Sequence, residues 1–183
     1  MDRNAAQALN AAGLFAISLV LLVAFADQLV LGDLPCPLCI LQRGAFVAVG
    51  ITLLLNLRFG PRPSHYGAMI LSAAVGAAVA GRQTMLHIIP GSPGYGMPLL
   101  GLHFYTWAFV VFALVVLGAA VMLLFDRQFD AGREPARMQR LAMATFVLAA
   151  AVTLGNGVST VLECGGGLCP DNPSSYELLQ GGP

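Results

Sequence analysis

The sequence predicts an all-α fold, a polytopic bundle of helices that cross a membrane. Three observations lead there. Hydrophobic residues make up 57% of the 183 residues and charged residues only 10%, whereas a soluble domain carries about 25% charged residues. Mean hydropathy is +0.78. The apolar residues are gathered into five long runs, 11–32, 40–57, 66–89, 104–125 and 141–162, of 18 to 24 residues each. At 1.5 Å per residue such runs span about 30 Å of hydrocarbon. A backbone in lipid must satisfy its own polar groups, so the runs are read as helices. They lack the period-2 alternation of strands. The same composition excludes disorder.

The first run follows Asp2 and Arg3 and ends at Gly32. Its Ala24-Phe25-Ala26 resembles a signal-peptidase site. The weak n-region and the apolar continuation to Leu31 favour a retained span. Asp33-Leu34-Pro35 breaks the chain before the second run, and Gly60-Pro61-Arg62-Pro63 separates the second from the third. Pro90 to His103 joins the third to the fourth. A polar stretch from Asp126 to Arg140 precedes the fifth. Gly/Pro clusters of this kind mark turns. Residues 1–162 thus read as the bundle and 163–183 as a polar, Cys-containing tail.

Orientation follows from arginine, since the chain has no lysine. Arg3, Arg58, Arg62, Arg127, Arg133, Arg137 and Arg140 fall at the N-terminus and in the second and fourth connections. Positive charge collects on the cytoplasmic side, so the N-terminus is expected in the cytoplasm and the C-terminus outside. Tyr95, Tyr105 and Trp107 suit an outer aromatic belt. Formal net charge is zero and no basic patch exists, which argues against nucleic acid.

Two cysteine pairs then meet on the outer face. Cys36 and Cys39 form a C-x-x-C at the start of span two. Cys164 and Cys169 form a C-x4-C beyond span five. The outer side of a plasma membrane is oxidising, so disulfide chemistry is favoured there, although four cysteines allow three pairings. Cys39 falls in the first helical turn, where free N–H groups and the helix dipole stabilise a thiolate. Arg43 lies one turn on, facing the same sulfur. A charge at mid-bilayer costs about 2.5–3.5 kcal/mol, which a merely structural staple would not require. Arg82 sits inside span three at similar depth. Two guanidiniums on different helices suggest an anionic or carbonyl-bearing ligand between them, with Gln42, Gln83 and His87 adding hydrogen bonds. Gly165-Gly166-Gly167 gives the second pair a mobile look. Asp27 is read as partnering an arginine or lying wet near the outer end, and Asn156 as interhelical glue.

The run Pro35-Cys36-Pro37-Leu38-Cys39-Ile40-Leu41-Gln42-Arg43 resembles the disulfide bond formation protein B (DsbB) family. Gly81-Arg82-Gln83-Thr84-Met85-Leu86 through Pro90 resembles the end of that family's third helix, and Gly101-Leu102 through Trp107 the start of its fourth. The resemblance covers roughly residues 10–125. It implies a four-helix core, to which this chain adds a fifth span. It implies an inner-membrane enzyme that reoxidises a periplasmic thioredoxin-like (DsbA-like) protein and passes electrons to ubiquinone or menaquinone. Cys39 would face the quinone, Arg43 would lie near a quinone carbonyl, and Arg82 or Gln83 near the same ring. The family carries its second cysteine pair between spans three and four. The loop here has none, so Cys164 and Cys169 are read as its substitute. Two alternatives stand beside this reading. One is an enzyme similar to vitamin K epoxide reductase, and the other a non-enzymatic membrane protein whose thiolates hold a metal.

Overall fold

A computed structural model describes residues 1–88, 94, 98–129, 140–165 and 167–179, with the side chains of 140 and 141 left aside. Tyr95, Arg133, Arg137 and Gly166 lie outside the described residues. Five α-helices make up the fold: α1 (Arg3–Leu31), α2 (Pro37–Phe59), α3 (Pro63–Leu86), α4 (Phe104–Leu123) and α5 (Arg140–Cys164). All five are long and apolar enough to cross a membrane. Among the described residues the only β-type pairing is one isolated bridge between Leu99 and Leu102.

The helix ends follow local chemistry. The Asp2 carboxylate accepts from the Ala5 N–H at 2.8 Å, so α1 begins eight residues before the apolar run does. Capping, not hydropathy, sets that start. Gly32 closes α1 at φ 75°, a left-handed cap open to glycine. Pro37 and Pro63 open α2 and α3 at the first helical position, where their missing N–H is no loss. α3 stops at Leu86, short of the expected Ile89.

Side-chain contacts fix the order. α2 packs between α1 and α3, α4 packs on α3, and α5 packs on α1 and the near face of α2. Gln28, late in α1, bonds Ser159, late in α5, so those helices run parallel. Arg43, early in α2, bonds Ala24, and Gln83, late in α3, bonds Gln42. Hence α1, α3 and α5 end where α2 and α4 begin, and both cysteine pairs stand at that end. The core is apolar, with Leu14, Val49, Ala73 and Phe112 fully buried and Phe46 stacked on Phe112 at 4.0 Å. The outer faces carry Leu71, Val75, Leu114, Leu117, Leu154 and Val158 in the open, as a lipid-facing surface requires.

Opposite the thiol end, a polar cluster ties three helices. Asn10 Nδ2 donates to the Tyr66 hydroxyl at 2.8 Å, and Asn56 Nδ2 donates to Asn10 Oδ1 at 2.9 Å. The Tyr66 hydroxyl donates to Gln128 in the short 3-10 turn Asp126–Phe129. All four side chains are buried.

Candidate functional site

The C-x-x-C builds the start of α2. Cys36 is the N-cap, and its sulfur accepts the Cys39 N–H at 3.3 Å. A thiol thus does what a serine oxygen does at most helix starts. Pro37 presets the turn, and Cys39 falls at the third helical position, beside the free N–H groups. The two sulfurs are in hydrogen-bond contact, and either can be the donor. That bond and burial push the Cys36 thiol up. Cys39 is therefore the sulfur placed to bear charge, at the positive end of the helix dipole.

Gln83 of α3 completes the first contacts. Its Nε2 reaches Cys36 Sγ at 3.3 Å and Cys39 Sγ at 3.4 Å, and its Oε1 accepts from Gln42 Nε2 at 2.6 Å. Both glutamines are buried. His87 Nδ1 meets the Gln83 carbonyl at 2.8 Å, so it supports the backbone of α3 and not the sulfurs.

Arg43 does not snorkel. Its Nη1 donates to Gln28 Oε1 at 2.7 Å and to Asn156 Oδ1 at 3.1 Å, and its Nη2 to the Ala24 carbonyl at 2.9 Å. The guanidinium thereby fastens α2 to α1 and α5. Gln28 carries the network outward, donating from Nε2 to Ser159 Oγ at 2.6 Å and to the Tyr176 hydroxyl at 3.0 Å.

Arg82 stands elsewhere. It is exposed and lines no part of the cavity described below. Successive helical residues point about 100° apart, so Gln83 facing inward sends Arg82 outward. The expected pair of guanidiniums around one ligand is replaced by Arg43 and Gln42, while Gln83 contacts the sulfurs and does not line the cavity.

In front of α2, between α1 and α4, lies a cavity of about 350 Å³. Cys39, Gln42 and Arg43 form its polar wall, and Asp27 and Asp33 also line it. Phe46, Tyr105, Trp107 and Val111 supply apolar and aromatic surface. Trp107 Nε1 bonds the Leu99 carbonyl at 2.9 Å, which draws the turn before α4 over the cavity. This donor set fits a flat apolar ring bearing carbonyl oxygens: aromatic surface for the ring, N–H donors for the oxygens and a sulfur alongside.

Cys164 and Cys169 are joined in a disulfide with Cα atoms 4.5 Å apart, while Cys36 and Cys39 are free thiols. Cys164 is the last residue of α5 and buried, not a residue beyond the span. Gly165, at φ 60°, makes the turn out of the helix. The tail is held by Tyr176 on Gln28 and by a short 3-10 turn, Glu177–Leu179, packed on α5. The Gly167 N–H bonds the Cys164 carbonyl at 2.9 Å, so Gly165 and Gly167 belong to a turn within an anchored segment.

Gln28, Ser159, Glu163 and Tyr176 were not singled out by the sequence reading. A signal for the two α5 positions, Ser159 and Glu163, does exist. Ala142, Thr145, Ala149, Val152, Asn156, Ser159 and Glu163 are all buried at alternating three- and four-residue spacing, one continuous inward stripe. Its last three members are polar, and they occupy the thiol end. Among the described residues no group of three His, Cys, Asp or Glu side chains gathers to hold a metal.

A five-helix membrane bundle with a dithiol beside a half-buried, hydrogen-bonded arginine is the class defined by this fold and site. The family model for "Disulfide bond formation protein DsbB" matches residues 6–94, which hold α1, α2, α3 and the C-x-x-C. Curated relatives named "Disulfide bond formation protein B" include those of Marinobacter nauticus (45% identical over 75 residues, 39% of this chain and 45% of the relative). That of Nitrosomonas eutropha is 46% identical over 67 residues, 34% of this chain and 41% of the relative. That of Xanthomonas axonopodis pv. citri is 37% identical over 113 residues, 58% of this chain and 66% of the relative. The chain is similar to the disulfide bond formation protein B family over its first three helices and the C-x-x-C. The matched stretch spans under half the length of the first two relatives. No solved structure matches the chain. α4, α5 and the tail disulfide lie beyond the segment that the family model matches.

Proposed function

We propose that this chain is a thiol–disulfide oxidoreductase of a bacterial inner membrane. It reoxidises a periplasmic thioredoxin-like dithiol protein and delivers the electrons to a membrane quinone, ubiquinone or menaquinone. The observation that carries this reading is Cys39 at the start of α2, sharing one cavity wall with Gln42 and Arg43. A quinone, when bound, supplies the acceptor for two electrons and two protons. Arg43 and Gln42 would hold its oxygens, and the aromatic wall its ring. Leu19 and Val23 line the cavity and are also exposed on the outer face, so a lipid-soluble molecule can enter sideways.

The residues divide the work. A partner thiolate attacks the Cys164–Cys169 disulfide and forms a mixed disulfide, which its second thiol resolves, leaving both tail cysteines reduced. The tail dithiol then reduces Cys36–Cys39 and regains its own disulfide. Cys39 then holds negative charge beside Arg43, while Cys36 keeps the shared proton. In this reading the bundle runs to Cys164 at the end of α5, the tail after it is the exchange arm outside, and the N-terminus is cytoplasmic. Adding a reduced thioredoxin-like protein to the purified chain should bleach a quinone, and no bleaching with any periplasmic dithiol protein would overturn the reading.

A further inference from the structure

Glu163 is a group the mechanism above does not use. It is wholly buried in the last turn of α5, at 0% exposure. Neither carboxyl oxygen has a hydrogen-bond partner among the described residues. A buried carboxylate with no donor is expensive, and nothing about packing calls for an acid there. The charged and titratable groups around it come from every neighbouring element. α2 supplies Arg43 and Cys39, both within electrostatic reach. α1 supplies Asp27, and the tail Tyr176, which act on the same guanidinium. Glu177 lies against Gly165, two residues on. Cys164, the next residue, is in its disulfide. Ser159, one turn before Glu163, is occupied by Gln28, and Asn156 by Arg43.

Around the half-buried Arg43 stand the Cys39 sulfur, the half-buried Asp27 on the cavity wall and, behind them in α5, the one wholly buried acid among the described residues, Glu163. One anion beside Arg43 is enough, and a second charge on the wholly buried Glu163 while Cys39 is a thiolate is unfavourable in low dielectric. We propose that Glu163 is the redox-linked counterion of Arg43, holding a proton when Cys36–Cys39 is reduced and releasing it when that pair is oxidised. In the reduced state Cys39 is the thiolate, and its proton sits on a Glu163 carboxyl oxygen. Oxidation joins the two sulfurs, two electrons leave to the quinone, and the sulfur charge disappears. Glu163 gives up its proton and becomes the anion facing Arg43. Two protons leave in all, one from Cys36 and one from Glu163, which balances the two electrons. The electron acceptor in this scheme rests on the proposed function; the proton on Glu163 does not.

Infrared difference spectroscopy on the purified full-length protein, reduced with dithiothreitol minus oxidised with diamide and without quinone, tests this. The wild type should gain one protonated-carboxyl carbonyl band on reduction. Glu163→Gln and Cys39→Ser should both lose it, Asp27→Asn should keep it, and Glu163→Asp should shift it. A band that survives in Glu163→Gln, moves to Asp27, persists without Cys39, or stays unshifted in Glu163→Asp overturns the proposal. So does a wild type with no band. Quinone bleaching by the wild type is scored separately: bleaching without the band sinks only the counterion, and the band without bleaching sinks only the quinone reading.

Discussion

Arg43 is the residue on which the site turns. Its three hydrogen bonds join α1, α2 and α5, and its guanidinium borders the cavity beside Cys39. A hydrogen bond from a charged group contributes about 1.5–3 kcal/mol, or about 10- to 100-fold in binding. Arg43→Ala should raise the quinone KM by that order in steady-state assays. Arg43→Lys should recover only part, because an ammonium cannot reproduce the planar fork that reaches Gln28, Asn156 and Ala24 together. Arg82→Ala should leave quinone KM within about twofold, since Arg82 lies on the outer surface of α3. Loss of activity in Arg82→Ala with Arg43→Ala unaffected would reverse the assignment. The sequence made Arg43 legible because its spacing from Cys39 is local, one turn on one helix. It misplaced Arg82 because depth in a span says nothing about the face of the helix, and only Gln83, packed on the sulfurs, fixes that rotation.

At the scale of elements, α3 and α4 meet through small residues. Ala73, Gly76 and Ala80 form a stripe on α3, and a Cβ at Gly76 would overlap the Phe112 ring. Small residues let membrane helices approach closely. Gly76→Val should destabilise the bundle by about 1–3 kcal/mol, read as a lower Tm in detergent. Gly67→Ala, at a position with open space, should change it little. At the far end Asn56→Leu should lower Tm as well, because Asn10 would lose its donor and His65 its partner. A buried group left unpaired costs about 1–3 kcal/mol. An unchanged Tm in Asn56→Leu would mean that the cluster is passively solvated. The five helices could be read from the chain because hydropathy and length alone define a span. Their starts at Arg3 and Pro37 depended instead on caps, Asp2 and Cys36, which hydropathy ignores. The inward stripe of α5 was present in the sequence but diluted by apolar residues on every face, so its polar upper end did not stand out.

For the whole molecule, the parallel course of α1, α3 and α5 brings the two cysteine pairs to one end. This part of the site follows from counting spans. The ties between tail and bundle, Tyr176 to Gln28 and Gln28 to Arg43, link residues far apart in sequence, and no local pattern announces them. With the N-terminus cytoplasmic, a membrane-impermeant maleimide should reach Cys164 and Cys169 in intact cells once they are reduced. Protection until the membrane is permeabilised would invert the orientation.

The central claim is that electrons enter at the tail disulfide and leave at Cys39. The most direct measurement compares two electron donors, a reduced thioredoxin-like protein and a small dithiol, each driving quinone reduction by the wild type and by Cys164→Ser and Cys169→Ser. The account predicts that both variants lose the protein-driven rate and keep the small-dithiol rate, because Cys36 and Cys39 are untouched. Protein-driven reduction at the full rate without the tail pair would contradict it.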